Sequence, residues 1–150
     1  MRTTLLLGLM AVISGALIPV QAASNAALSR VINGNVPFAA LTLFVVAAVA
    51  TAAAVAVLGQ GLPSGAELRS APWWSYSGGL IVAFYVFTIT FLSPRLGVGA
   101  AIALIVTGQV LAALTIDHFG LMRSMVISLT PTRLAGAALM IAGAFLALRR

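Results

Sequence analysis

The chain has no cysteine, and its basic residues are all arginine. Disulfides and thiolate chemistry are therefore excluded. It has only two acids, Glu67 and Asp117, and one histidine, His118. That leaves no ligand set for a structural zinc, and no cofactor is expected. No nucleophile–base pair or metal cluster is readable, so an enzyme is not expected either. Charge of any sign is scarce: 7% of residues carry it, against about 25% in a soluble domain. A water-exposed surface cannot be built from so few. The net charge of +6 comes from scattered single arginines, whereas a nucleic-acid surface needs clustered ones.

What is present is apolar. Hydrophobic residues make up 62% of the 150, and mean hydropathy is +1.17. A membrane helix needs about 20 mostly apolar residues. Five runs qualify, and the helices are expected at about 3–29, 36–58, 72–92, 97–116 and 131–148. The runs are continuous and rich in Ala and Leu, without period-two alternation, so a bundle is expected rather than a barrel. One transmembrane domain accounts for residues 1–150, with no room for a separate soluble one. "NGNVP" (33–37) breaks the first two runs, "GQGLPSGAELRSAP" (59–72) the next, and "SPRLG" (93–97) the third from the fourth. "DHFGLMRSMVISLTP" (117–131) is longer and partly apolar, suited to the interface. Thr130 and Pro131 read as the N-cap and first residue of the last helix. Trp73 and Trp74 open the third span, where aromatic rings anchor at the headgroups.

"GALIPVQAASNAALSR" (15–30) raises a choice. Val20, Gln21 and Ala22 resemble a signal-peptidase site, yet further spans follow and Arg2 is a minimal leader. The first helix is expected to be retained. Pro19 then removes the helix partner of the Gly15 carbonyl and marks a kink. Gln21 and Asn25, at i and i+4, share a face. They are interfacial if the helix ends near residue 22. If it extends to about 29 they contact a solute.

The remaining polar residues also carry two readings each. Gln109, deep in the fourth span beside Gly108, is cavity lining or interhelical glue. Tyr85 is a packed aromatic or an aromatic wall for a solute. Asp117 ends the fourth span and forms either an ion pair with Arg123 or Arg133, or a proton site. Gly136 and Gly143, seven apart with Ala147 following, form a small-residue stripe for helix packing or a dimer interface.

With five spans the termini lie on opposite sides. Arg2, Arg69, Arg123 and Arg133 then fall on one side, and Arg30, Arg95, Arg149 and Arg150 on the other. Four against four gives the positive-inside rule nothing to act on. Insertion in both orientations follows, with opposed copies pairing as an antiparallel homodimer. Inverting one copy brings Gln21 and Gln109 of different chains to a common depth.

"GALIPVQAASNAAL", "PWWSYSGGL", "SPRLGVGAAIALIVTGQVLAALTIDHFGL" and "TRLAGAALMIAGAFL" together resemble the YdcZ-type family of bacterial inner-membrane proteins, in the drug/metabolite transporter superfamily. The resemblance covers nearly the whole chain. It implies five helices, an antiparallel dimer and transport of a small solute. The related small multidrug resistance exporters use a glutamate in the first span. This chain has no acid there, so that role is not carried over. Against a transporter stands a non-transporting membrane interaction or assembly subunit. The partners expected are the bilayer, an inverted second copy and a small solute, with no nucleic acid.

Overall fold

A computed structural model describes residues 2–59 and 61–148, without the side chains of Arg2, Ala147 and Leu148. Arg149 and Arg150 of the charge balance, and the side chains of Arg2 and Ala147, lie outside the described residues. Among those described, every regular element is helical. The elements are α1 (Arg2–Val31), α2 (Val36–Leu58), a short α3 (Gly65–Ser70), α4 (Gly78–Leu96), α5 (Val98–Phe119) and α6 (Pro131–Leu148). Short 3-10 turns cover Trp73–Ser77 and Leu121–Arg123.

Four segments are long and apolar enough to cross a membrane: Thr3–Val31, Val36–Leu58, Trp73–Leu96 and Val98–Phe119. α6, with 18 residues, reaches about 27 Å at 1.5 Å per residue. That is close to the ~30 Å of a hydrocarbon core. α1 runs unbroken through Pro19 to Val31, beyond the residue-22 limit. The continuation is chemically reasonable, because Ala22, Ala23, Ala26 and Ala27 are strong helix formers.

The turn chemistry is local and explicit. Asn33 and Gly34 take positive φ (58° and 77°). Gly34 N donates to Ser29 O at 2.8 Å, closing the end of α1. Asn35 caps α2 by accepting from Phe38 N at 3.0 Å. Ser64 and Glu67 form a capping box on α3. Thr130 caps α6, accepting from Arg133 N at 3.3 Å. α4, the third expected span, continues beyond residue 92, through Pro94 to Leu96. A proline in the last turn removes one helical bond, that to the Thr90 carbonyl, and leaves the rest intact.

The chain divides into two compact units, Met1–Pro94 and Arg95–Arg150. In the first, α1 packs on α2. α1 buries Ala22, Asn25, Ala26 and Ser29, a run spaced i, i+3, i+4, i+7, and α2 buries Ala39 and Ala40. α4 repeats that spacing with Val86, Ile89, Thr90 and Ser93. Residues 45–58 of α2 are exposed on all sides, which suits a helix bathed in hydrocarbon. In the second unit α5 packs on α6, and the buried apolar side chains are Ala101, Ala137 and Ala144. Lipid tails are as apolar as leucine, so these small contacts act through close packing, not through escape from water.

Candidate functional site

The first unit holds a cleft of about 650 Å³ between α1, α2 and α4. Its wall is mainly apolar: Ile18, Leu43, Val46, Val82 and Val86 supply most of the larger side chains. Gln21, Asn25 and Tyr85 line the same cleft. α1 presents the two amides one turn apart, and α4 brings the ring. No acid or base is among the lining residues.

The polar groups of this cleft divide sharply. Asn25 is 6% exposed and donates Nδ2–H to Thr90 Oγ1 at 3.2 Å, with Thr90 only 1% exposed. This ties α1 to α4. Ser24 Oγ donates to Val20 O at 2.9 Å, and Thr42 Oγ1 to Phe38 O at 3.0 Å. These hydroxyl protons are committed to their own helices. Gln21 Nε2 differs. It is shielded from solvent and has no hydrogen-bond partner among the described residues. Leaving such a group unsatisfied costs about 1–3 kcal/mol. Tyr85, half-buried, extends the polar edge of the cleft.

A larger hollow of about 960 Å³ follows α2, lined by Phe44, Ala47, Ala48, Thr51 and Ala52 among others. The hydroxyl of Thr51 is bonded to Ala47 O at 2.8 Å. The greater volume therefore offers almost no recognition chemistry, and the Gln21 cleft is the better candidate.

The second unit places its polar groups elsewhere. Gln109 sits midway along α5 and is exposed, as is Gly108. It belongs to the second unit, whereas the residues lining the Gln21 cleft all belong to the first. Asp117 Oδ2 accepts from Arg133 Nη2 at 2.8 Å, with side chains 29% and 33% exposed respectively. The segment after α5 does not run free. Ser124 Oγ donates to Ile116 O at 3.2 Å, Ile127 N to Asp117 O at 2.8 Å and Leu129 N to His118 Nδ1 at 3.4 Å. Gly136 and Gly143 are exposed, and a Cβ built on either meets nothing within 4 Å. Packing against the described residues of the second unit thus does not explain these glycines.

At the loop between α2 and α4, Trp73 is 83% exposed and Trp74 half-buried. Tyr76 Oη donates to Leu68 O at 2.6 Å, tethering α3 to the start of the third span. Glu67 accepts from Ser64 N, and that bond holds its carboxyl below the ordinary glutamate range. Thr90, buried on α4, supports the cleft through Asn25, and Ser93, also buried, donates to Ile89 O of its own helix; neither was among the sequence candidates. Their signal was a Thr and a Ser on the i, i+4, i+7 face of an apolar run that ends in proline.

A family model described as "Putative inner membrane exporter, YdcZ" matches residues 6–146. The chain belongs to the YdcZ family. No curated protein and no solved structure gives a match. Membership of YdcZ and four long apolar helices make this a multi-pass inner-membrane protein of an exporter family.

Proposed function

We propose that this YdcZ protein is a secondary exporter, five-helical, working as an antiparallel pair of identical copies. A small solute occupies the cleft of Gln21, Asn25 and Tyr85 and crosses by alternating access. The observation that carries the reading is the unpartnered Gln21 amide in a cleft of ligand size. A purely structural amide would be paired, as Asn25 is with Thr90. The family description supports export as the activity.

Three features support the second copy. An exposed amide on a membrane-spanning helix is costly unless protein or water meets it, and Gln109 is such an amide. Gly136 and Gly143 leave room for close approach of another helix. The balanced arginines permit insertion in either orientation. In this reading Asp117 and Arg133 form an ion-pair site at the end of α5, and Trp73 and Trp74 anchor the third span at the headgroups.

The test is a solute-binding screen on the purified protein, followed by flux in liposomes. Gln21→Ala and Gln109→Ala are each expected to weaken binding and leave the dimer intact. Wild-type binding with dissociated dimers would make both amides interhelical glue. The alternative of an assembly subunit would then gain ground.

A further inference from the structure

We infer that the solute taken by the Gln21 cleft is neutral and largely apolar, and that it carries a hydrogen-bond acceptor such as the carbonyl of an aromatic ketone, ester or amide. The inference rests on the reading of this cleft as the solute site.

The argument is one of matching. The hydroxyl protons of Ser24 and Thr42 are held by carbonyls of their own helices, and Asn25 Nδ2 is held by Thr90. The buried polar atom left without a partner among the described residues is Gln21 Nε2, which can only donate, and the Tyr85 hydroxyl beside it can donate as well. A ligand that satisfies this shielded donor must supply an acceptor. The rest of the wall, Ile18, Leu43, Val46, Val82 and Val86 foremost, asks for apolar surface.

Charge is excluded by the cost of desolvation. No carboxylate lines the cleft to balance a cation. Taking a cation out of water without a counter-charge is costly, and the face of one tyrosine returns only part of that cost. No arginine lines it to balance an anion. The volume of about 650 Å³ lies within the ~300–1,000 Å³ of small-molecule sites. It accommodates a two-ring molecule with room to move.

Benzophenone is a suitable probe, since it is neutral, apolar, carries one acceptor and inserts into nearby C–H bonds on near-ultraviolet illumination. The full chain in lipid nanodiscs is labelled, and the labelled peptides are located by mass spectrometry. Labelling on α1 and α4 around Gln21 and Tyr85 is compared with labelling at exposed Phe145 of α6, which reports lipid-dissolved probe. Competitors are N,N-diethylbenzamide, diphenylmethane and tetraphenylphosphonium. One hydrogen bond of about 1 kcal/mol corresponds to about fivefold. Gln21→Leu should therefore cut cleft labelling about fivefold and leave Phe145 labelling unchanged. Tyr85→Phe, which removes one hydroxyl and keeps the ring, should cut it by a smaller factor. The benzamide should compete about fivefold better than diphenylmethane, and tetraphenylphosphonium should not compete. Cleft labelling displaced by tetraphenylphosphonium, or unchanged in both variants, would overturn the solute class and leave the cleft as the site. Labelling around Gln21 no stronger than at Phe145 in wild type would overturn the site itself.

Discussion

The two units bury polarity in opposite ways. In Met1–Pro94 the buried polar side chains, Asn25, Ser29, Thr90 and Ser93, are uncharged and lie along helices. Among the described residues of Arg95–Arg150 the buried side chains are alanines. Its one described ion pair lies at the end of α5, where Asp117 meets Arg133 and the following segment folds back. The difference follows from the solvent. A neutral amide–hydroxyl pair is tolerable within a span, whereas a carboxylate there is expensive and belongs near the boundary. In the proposed reading the first unit recognises the solute, while the second holds its following segment through the Asp117–Arg133 pair.

The comparison can be broken by substitution. The largest effect is expected at Gly120, which has a φ of 58° and whose Cβ, if present, would lie 2.6 Å from Val126 Cγ2. Gly120→Ala should destabilise the second unit by about 2 kcal/mol, from left-handed backbone strain of ~1–2 kcal/mol plus the clash. Thermal unfolding in detergent measures it, and solute binding per folded molecule should be unchanged.

In the first unit, Asn25→Leu leaves the buried Thr90 hydroxyl without its donor. A loss of about 1 kcal/mol is expected, within the range measured for interhelical bonds in bilayers. A double-mutant cycle with Thr90→Val should show the two effects coupled. Additivity would mean that the 3.2 Å bond contributes nothing.

Asp117→Asn removes the charge from a pair that is about one-third exposed. A change of no more than about 1 kcal/mol follows from that solvent screening. Amide exchange at Ile127, bonded to the Asp117 carbonyl, should speed up while that of Ala26 does not.

The smallest effect concerns α3. The Glu67 carboxyl is held below its ordinary value by Ser64. Its capping contribution is therefore full above the ordinary glutamate pKa and disappears as pH falls through the depressed one. Amide exchange at Ser64, measured down a pH series, should rise in that acid window alone. Exchange independent of pH after correction for intrinsic rates would remove the capping box as a cause.

Much of the fold was legible because it rests on local chemistry. Continuous apolar runs marked the helices, Asn33–Gly34 marked a turn, and Thr130–Pro131 marked a helix start. Pro94 misled because a proline in a last helical turn and a proline in a loop look alike in sequence. In the site, the i, i+4 spacing of Gln21 and Asn25 placed both amides on α1, and Tyr85 joins them in one cleft. The pairing of Asn25 with Thr90 was not legible, since which helix faces α1 is a tertiary fact. Nor was the division of labour between two amides one turn apart, one satisfied and one free.

The most direct test compares two variants in one assay. Flux of the best-binding solute is measured in liposomes, per folded protein, for Gln21→Leu and Asp117→Asn. The account predicts that Gln21→Leu lowers flux about fivefold or more while its unfolding temperature does not fall, since an unpartnered buried donor is removed, and that Asp117→Asn leaves flux near wild type. Undiminished flux in Gln21→Leu, with flux lost in Asp117→Asn, would contradict it and move the solute chemistry to the second unit.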